Sequence, residues 1–222
     1  MNNILNNYDL FIFDLDDTLI KTEQYHYDAW IITLKKYINN DFNMNTNEFF
    51  SIFHCITQNR IPNYLKNELH LDNYIDVIEY KNKIYLDIIT KEKHSIQMLD
   101  GCEEFIRQII KNNKIFIIVS NSLKEHINFF TELFPILKQS SKNYYREIIT
   151  NRKPHPECYQ TVVKDFPDMR LVGFEDSITG IHAITQVPNI TTYFINTPDY
   201  YHYNYIIANY LVINISNYMP LL

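Results

Sequence analysis

Three carboxylates and a hydroxyl follow one short apolar segment near the start of the chain. Residues 8–13 are mostly aromatic or β-branched, which predicts a strand buried on both faces, and Asp14, Asp16, Asp17 and Thr18 come directly after it. The carboxyl end of a buried parallel strand is where open α/β sheets bind ligands. Because grouped carboxylates repel one another, they favour a hard divalent cation with oxygen ligands, Mg²⁺ above all. An ordinary acidic turn after the strand is the alternative interpretation.

A second apolar segment ends in small polar residues. Residues 114–119 predict another buried strand, and Ser120, Asn121 and Ser122 follow it. A hydroxyl at a strand end, followed by backbone N–H groups at a helix start, is a phosphate-binding arrangement. Ser122 and Glu125 have the spacing of a capping box, which predicts that the helix begins there. Ser and Asn are also ordinary loop residues, so this segment alone does not decide the function.

Two later segments carry further charges at predicted element ends. Lys153 lies between Arg152 and Pro154, just before a helix start predicted at Pro156. Taken alone, a lysine in this setting is usually a surface charge. Residues 171–174 predict a strand that ends in the adjacent acids Glu175 and Asp176.

The elements that must position these residues form an α/β pattern with one helical interruption. Residues 21–96 show helical periodicity without a convincing strand, so we expect a helical domain there and a core domain from residues 1–20 and 97–222. The predicted strands lie at 8–13, 114–119, 147–149, 171–174, 192–195 and 210–213.

Taken in order, these segments resemble the four motifs of the haloacid dehalogenase superfamily. The matching residues are Asp14-Leu15-Asp16-Asp17-Thr18, Ser120-Asn121, Lys153-Pro154-His155-Pro156 and Glu175-Asp176. Thr22 and His26 resemble the entry to the helical cap of β-phosphoglucomutase-like and phosphoglycolate phosphatase-like members. The resemblance implies an α/β fold: a three-layer, Rossmann-like parallel sheet with strand order 5-4-1-2-3 and an inserted all-helical cap.

The same resemblance implies a Mg²⁺-dependent phosphatase that hydrolyses a small phosphorylated metabolite through an aspartyl phosphate. It assigns Asp14 as nucleophile, Asp16 as general acid and base, and Lys153 as the cation that holds the phosphoryl oxygens. The implied metal ligands are Asp14, the main-chain carbonyl of Asp16, Asp176, and Glu175 through a water molecule. The implied substrate-binding residues are Thr18, Ser120, Asn121 and His26.

Three alternatives share parts of this pattern. A β-phosphoglucomutase-like phosphotransferase would use an identical core and pass the phosphoryl group to a sugar hydroxyl. A dehalogenase would use the same nucleophile but would need neither Mg²⁺ nor the second acid, Asp16. A non-catalytic module that binds a phosphorylated ligand or a protein would be expected to lose Asp14 or Asp16, and both are present.

Composition narrows the class of protein further. The 222 residues carry a formal net charge of −6, and the basic residues are not clustered, which argues against a nucleic-acid partner. No apolar run approaches the length of about 20 residues that a membrane span needs, and the first residues do not resemble a signal peptide. Three widely spaced cysteines favour reduced thiols and a cytoplasmic location. The oligomeric state is left open.

Overall fold

The computed structural model describes residues 4–53, 60–195 and the strand residues 212–213. The strands are β1 (Leu10–Phe13), β2 (Ile115–Val119), β3 (Asn143–Tyr144), β4 (Leu171–Glu175), β5 (Ile190–Ile195) and β6 (Val212–Ile213). The helices are α1 (Ile4–Asn7), α2 (Glu23–Tyr37), α3 (Thr46–Phe53), α4 (Arg60–Asn63), α5 (Tyr74–Lys91), α6 (Cys102–Lys111), α7 (Lys124–Leu133), α8 (Glu157–Asp165) and α9 (Ile178–Thr185). Two compact units contain them: Met1–Lys21 with Gln97–Leu222, and Thr22–Ile96.

The first unit is built on one parallel sheet. Its strands lie in the order β3-β2-β1-β4-β5-β6, and every neighbouring pair is parallel. Read from the other edge, this order contains the predicted sequence 5-4-1-2-3. Strand β1 is central and all four of its residues are buried, as a continuous apolar segment predicts for a strand covered on both faces. The last predicted strand, 210–213, is present as β6, while residues 210 and 211 lie outside the described residues.

Side chains of β1 alternate between the two faces of the sheet, and helices cover the apolar residues on each face. Phe11 and Phe13 pack edge-on against Phe105 of α6, with ring centroids 5.8 and 6.1 Å apart. Leu10 and Ile12 belong to a cluster that includes residues of α8 and α9. The result is a three-layer, Rossmann-like α/β unit, and the predicted fold class is confirmed.

The strand predicted at 147–149 is wrong. Arg146–Ile148 forms a short 3₁₀ helix, and the edge strand β3 lies just before it at Asn143–Tyr144. Both oxygens of the Glu147 carboxylate accept the main-chain N–H of Lys124, at 3.1 and 3.0 Å. This contact satisfies a free donor at the start of α7 and holds the segment in a turn instead of in the sheet.

The second unit is helical throughout its described residues. It contains α2, α3, α4 and α5, with a π-helical segment at Tyr64–Glu68. Its core includes Trp30, Leu34, Phe49, Leu65 and Val77. Within the part of the chain that the structure describes, no helix combines the length and apolar character that crossing a membrane requires.

Candidate active site

The register of the sheet brings the predicted site residues to one edge. Phe13 pairs with Ile118 of β2 and with Phe174 of β4, so these three strands end at nearly the same level. Asp14 follows Phe13 directly, and its N–H donates to the carbonyl of Phe174 over 3.1 Å. Ser120 follows β2, and Glu175 is the last residue of β4. The carboxyl ends of the central strands therefore form the candidate site, as expected for an open parallel sheet.

Lys153 is the cation at the centre of this site. Its Nζ donates to Asp14 Oδ1 at 2.5 Å, to Glu175 Oε1 at 2.5 Å and to the carbonyl of Val119 at 2.7 Å. Burial opposes the charge of Lys153, but the Asp14 and Glu175 carboxylates outweigh this effect and raise its pKa above the ordinary value. Lys153 is thus a fixed cation, and the surface-charge interpretation of this residue is wrong.

Asn121 holds the backbone of Lys153 in place. The Asn121 side chain accepts the N–H of Lys153 and donates to the carbonyl of the same residue, both at 3.1 Å. This two-point contact connects the segment after β2 to the segment before α8. It explains how a lysine far away in the chain reaches Asp14.

Asp16 lies beside the two serines that follow β2. Ser122 Oγ donates to Asp16 Oδ2 at 2.5 Å, and Ser120 Oγ makes a longer contact of 3.4 Å with the same oxygen. The predicted capping box is therefore wrong: Leu123 occupies the N-cap position of α7, and the Ser122 hydroxyl serves Asp16 instead. Ser120 Oγ in turn accepts the N–H of Ser122 at 2.9 Å. These bonds tie Asp16 to the second motif.

Thr18 and Asp176 form the next pair. Thr18 is fully buried, and its Oγ1 donates to Asp176 Oδ1 at 2.7 Å. Thr18 was predicted to bind substrate and Asp176 to bind metal, and the structure joins the two side chains directly.

Glu175 is held by a tyrosine as well as by Lys153. The Tyr159 hydroxyl of α8 donates a short hydrogen bond to Glu175 Oε1, and both side chains are fully buried. Burial and the Glu175 charge raise the pKa of Tyr159 well above its usual value, so the hydroxyl keeps its proton. Glu175 Oε2 has no hydrogen-bond partner among the described residues, and a Cβ added at Gly180 would lie only 1.8 Å from it. A side chain at position 180 would therefore force this carboxylate to move.

The acidic side chains suit a divalent cation. One oxygen from each of Asp14, Glu175 and Asp176 lies within 4.8 Å of the other two. Burial raises the pKa of Asp14 well above its usual range; Lys153 opposes this, and the charges of Glu175 and Asp16 reinforce it. Burial and the nearby Asp14 charge likewise raise the pKa of Asp176. Lys153 supplies one positive charge against three carboxylates, so a hard cation with oxygen ligands fits the site.

His26 lies in the helical unit. Its ring stacks on Tyr85 with centroids 4.0 Å apart, and its Nδ1 lies 2.8 Å from Lys81 Nζ. These contacts join α2 to α5 within that unit. The substrate-binding role of His26 stays a prediction.

Comparison with known proteins decides the family. A family model described as haloacid dehalogenase-like hydrolase matches residues 8–187. The chain belongs to this family. The match spans all four motifs and confirms the predicted family and the predicted class of enzyme, a hydrolase. An uncharacterized protein of Haemophilus influenzae is 25% identical over 186 residues, which cover 81% of this chain and 88% of that relative.

Solved structures show the same fold. CbbY from Rhodobacter sphaeroides, in complex with phosphate, is 16% identical with a TM-score of 0.78, and the match covers 94% of this chain and 95% of CbbY. A β-phosphoglucomutase from Clostridium difficile is 23% identical with a TM-score of 0.74, over 96% and 93% of the two chains. A haloacid dehalogenase (HAD) hydrolase of family IA, variant 3, from Entamoeba histolytica is 21% identical with a TM-score of 0.78, and the match covers 96% of each chain. At these identities the likeness establishes the fold of this haloacid dehalogenase-like hydrolase.

Sequence reasoning missed two residues of the site in this hydrolase. Tyr159 lies six positions after Lys153, where a tyrosine on the inner face of a helix is usually a core residue, and no local pattern indicates its bond to Glu175. The spacing of Ser122 from Glu125 favours a helix cap and does not indicate the hydrogen bond to Asp16. The available signal was the density of hydroxyls and carboxylates around the strand ends, which indicates a polar network without indicating its pairs.

Proposed function

We propose that this hydrolase is a Mg²⁺-dependent phosphatase that acts on a small phosphorylated metabolite through an aspartyl phosphate. The observation that carries the proposal is the contact between Lys153 and Asp14 inside a buried acidic cluster. The carboxylate of Asp14 at the strand end provides a nucleophile. The positive charge of Lys153, and a cation held by the two further acids, would offset the negative charge of a phosphate dianion.

Asp14 is the proposed nucleophile. Its Oδ1 is engaged by Lys153, so Oδ2 is the oxygen that can attack phosphorus. Attack in line with the leaving oxygen forms the bond from Asp14 to phosphorus and releases the alcohol, which leaves an aspartyl phosphate. Lys153 already lies at hydrogen-bond distance from Asp14 and would hold a transferring oxygen close by.

Asp16 is the proposed general acid and base. It would protonate the leaving oxygen in the first step and deprotonate the attacking water in the second. Its carboxylate is held by Ser122, which belongs to the same segment as the proposed phosphate ligands Ser120 and the N–H of Asn121. One segment after β2 thus positions both the phosphoryl group and the acid that acts on its leaving group.

A bound Mg²⁺ would supply Lewis acidity and orient the phosphoryl oxygens. Asp14, Asp176 and the main-chain carbonyl of Asp16 are the proposed ligands, with Glu175 completing the shell through water. The hydrogen bond from Thr18 uses Oδ1 of Asp176, so Oδ2 of that carboxylate can serve as a ligand. Asp14 would use Oδ1, which keeps a second lone pair beside the one that accepts from Lys153, and Oδ2 stays the attacking oxygen. The helical unit, with His26, is proposed as the cap that excludes water and selects the substrate.

Turnover of p-nitrophenyl phosphate tests this proposal. We expect hydrolysis with Mg²⁺, loss of activity in excess chelator and recovery when Mg²⁺ is restored. Asp14→Asn should abolish turnover, because the amide is nearly isosteric but a very poor nucleophile, and its circular dichroism should match that of the wild type. Full activity in excess chelator would contradict the metal-dependent mechanism.

A product analysis then identifies the acceptor and the substrate. Sugar phosphates, phosphoglycolate and nucleoside monophosphates should be screened for release of inorganic phosphate. Transfer of the phosphoryl group to a sugar hydroxyl, in place of release, would establish the phosphotransferase alternative. Binding of these compounds without either reaction would establish a non-catalytic module.

A further inference from the structure

The hydroxyl of Thr18 has a partner that a substrate-binding residue would not need. Thr18 follows β1 and Asp176 follows β4, the neighbouring strand, and the two residues are 158 positions apart in the chain. Thr18 is fully buried, and its hydroxyl donates to Asp176 Oδ1 at 2.7 Å. A threonine hydroxyl carries a single proton. While that proton is donated to Asp176, it is not available to a phosphoryl oxygen.

We propose that Thr18 is a positioning residue for Asp176, and through Asp176 for the divalent cation, instead of a substrate-binding residue. The inference rests on the proposed function. A carboxylate can rotate about its Cβ–Cγ bond, and a bond to Oδ1 fixes that rotation before a cation arrives. Because one oxygen of Asp176 lies within 4.8 Å of an oxygen of Asp14 and of one of Glu175, fixing this rotation also fixes the arrangement of the acidic cluster.

The turn that carries Thr18 is itself fixed by backbone hydrogen bonds. The N–H groups of Leu19 and Ile20 both donate to the carbonyl of Leu15, at 3.0 and 3.1 Å, and the N–H of Asp17 donates to the carbonyl of Ile20 at 2.8 Å. These bonds close the chain on itself around Thr18. The hydroxyl is therefore presented to Asp176 by a rigid turn. Groups that orient metal ligands in this way typically change metal affinity by about 10–100-fold.

Metal binding measured without substrate tests the inference. Thr18→Val has nearly the same shape and lacks the hydroxyl, while Thr18→Ser keeps the hydroxyl. Thr33→Val is the matched control, because Thr33 is also fully buried but donates to the carbonyl of Ala29, in the helical unit. The dissociation constant of Mn²⁺ can be read for each protein from the electron paramagnetic resonance signal of the free ion. The KM for p-nitrophenyl phosphate is then measured at saturating Mg²⁺.

We expect Thr18→Val to raise the Mn²⁺ dissociation constant about 10-fold or more, with KM at saturating Mg²⁺ close to the wild-type value. Thr18→Ser and Thr33→Val should bind Mn²⁺ like the wild type. If Thr18→Val does not fold, Thr18→Ala, which cannot clash, carries the same expectation. An unchanged Mn²⁺ affinity with a raised KM would overturn the inference, return Thr18 to substrate binding and leave the proposed function intact. A wild-type protein that neither binds Mn²⁺ nor hydrolyses the phosphate would overturn both.

Discussion

Replacing Lys153 by methionine should destabilise the protein much more than the same change at a surface lysine. Lys153 Nζ lies 2.5 Å from an oxygen of Asp14 and 2.5 Å from an oxygen of Glu175. The side chain of Lys153 is 3% exposed and that of Glu175 is fully buried. Methionine keeps most of the length of the side chain and removes the charge. Two carboxylates then lose their shared cation where water cannot replace it.

The expected loss follows from the burial of each partner. Removing one member of a buried ion pair costs about 3–5 kcal/mol, because the other charge is left uncompensated. Asp14 contributes less to this loss than Glu175 does, because its side chain is 11% exposed and solvent reaches it. Glu175 cannot be relieved by solvent, and its Oε2 already has no hydrogen-bond partner among the described residues. We therefore expect Lys153→Met to lower the free energy of unfolding by about 3 kcal/mol near neutral pH.

The loss of stability caused by Lys153→Met should become smaller as the pH is lowered. In the folded variant, Asp14 has lost the lysine that opposes the effect of burial, so its pKa lies further above that of the unfolded chain. Stability then falls as the pH rises, because the folded state must give up the proton of Asp14. The difference between Lys153→Met and the wild type should therefore shrink as the pH is lowered from mildly alkaline to mildly acidic values. The charge of Lys153 itself does not limit this range, since the two carboxylates raise its pKa above the ordinary value.

Urea unfolding followed by circular dichroism, with chelator present, measures these differences. Lys138 provides the matched control: it lies 2.6 Å from Glu132, but the two side chains are 49% and 73% exposed. Lys138→Met should change stability by no more than about 1 kcal/mol. Combining Lys153→Met with Glu175→Gln should cost at least about 1 kcal/mol less than the sum of the two single changes, because the residues are in contact. A Lys153→Met variant as stable as Lys138→Met, or an additive double variant, would refute the reasoning.

Two further substitutions test the acid and the glycine of the site. Asp16→Asn should slow hydrolysis of alkyl phosphates by about 10²–10⁴-fold, with a much smaller effect on phosphoenzyme formation from p-nitrophenyl phosphate, whose leaving group needs no proton. Equal loss of phosphoenzyme formation from both substrates would show that Asp16 is structural. Gly180→Ala should lower the free energy of unfolding by about 1–3 kcal/mol, as overpacking does, because the added Cβ would lie 1.8 Å from Glu175 Oε2. A variant with a higher urea midpoint, the usual result of Gly→Ala in a helix, would show that Glu175 can move away.

The sheet and the location of the site were predictable because burial and chemistry agree at the strand ends. A parallel strand covered on both faces must be apolar along its whole length. The polar residue that follows such a strand can therefore be recognised in the sequence. Asp14, Ser120 and Glu175 stand at such boundaries. Parallel pairing in register then brings the boundaries of β1, β2 and β4 to one level. The location of the candidate site therefore follows from the residue types at the strand ends together with parallel pairing of the strands.

The edge of the sheet was predicted less well, because local composition and tertiary contacts disagree there. Ile148 and Ile149 suggest a strand, yet Ile148 is 48% exposed and lies in a 3₁₀ turn. The strand itself, Asn143–Tyr144, has only two residues and no apolar run to indicate it. What decides the outcome is the contact between Glu147 and the first N–H group of α7, that of Lys124, which lies 23 positions earlier in the chain.

The pairing of the polar side chains was not predictable, although their types were. The acids of the site are held by donors from several segments, and a donor's type does not indicate which carboxylate it reaches. The pairs are Lys153 with Asp14, Ser122 with Asp16, Tyr159 with Glu175 and Thr18 with Asp176. Each of these hydrogen bonds goes to one oxygen of its carboxylate and restrains the rotation of that carboxylate. The motif patterns therefore locate the acids in the sequence, whereas the hydrogen-bond donors set the orientation of each carboxylate. That orientation determines whether a cluster of like charges can act as one site.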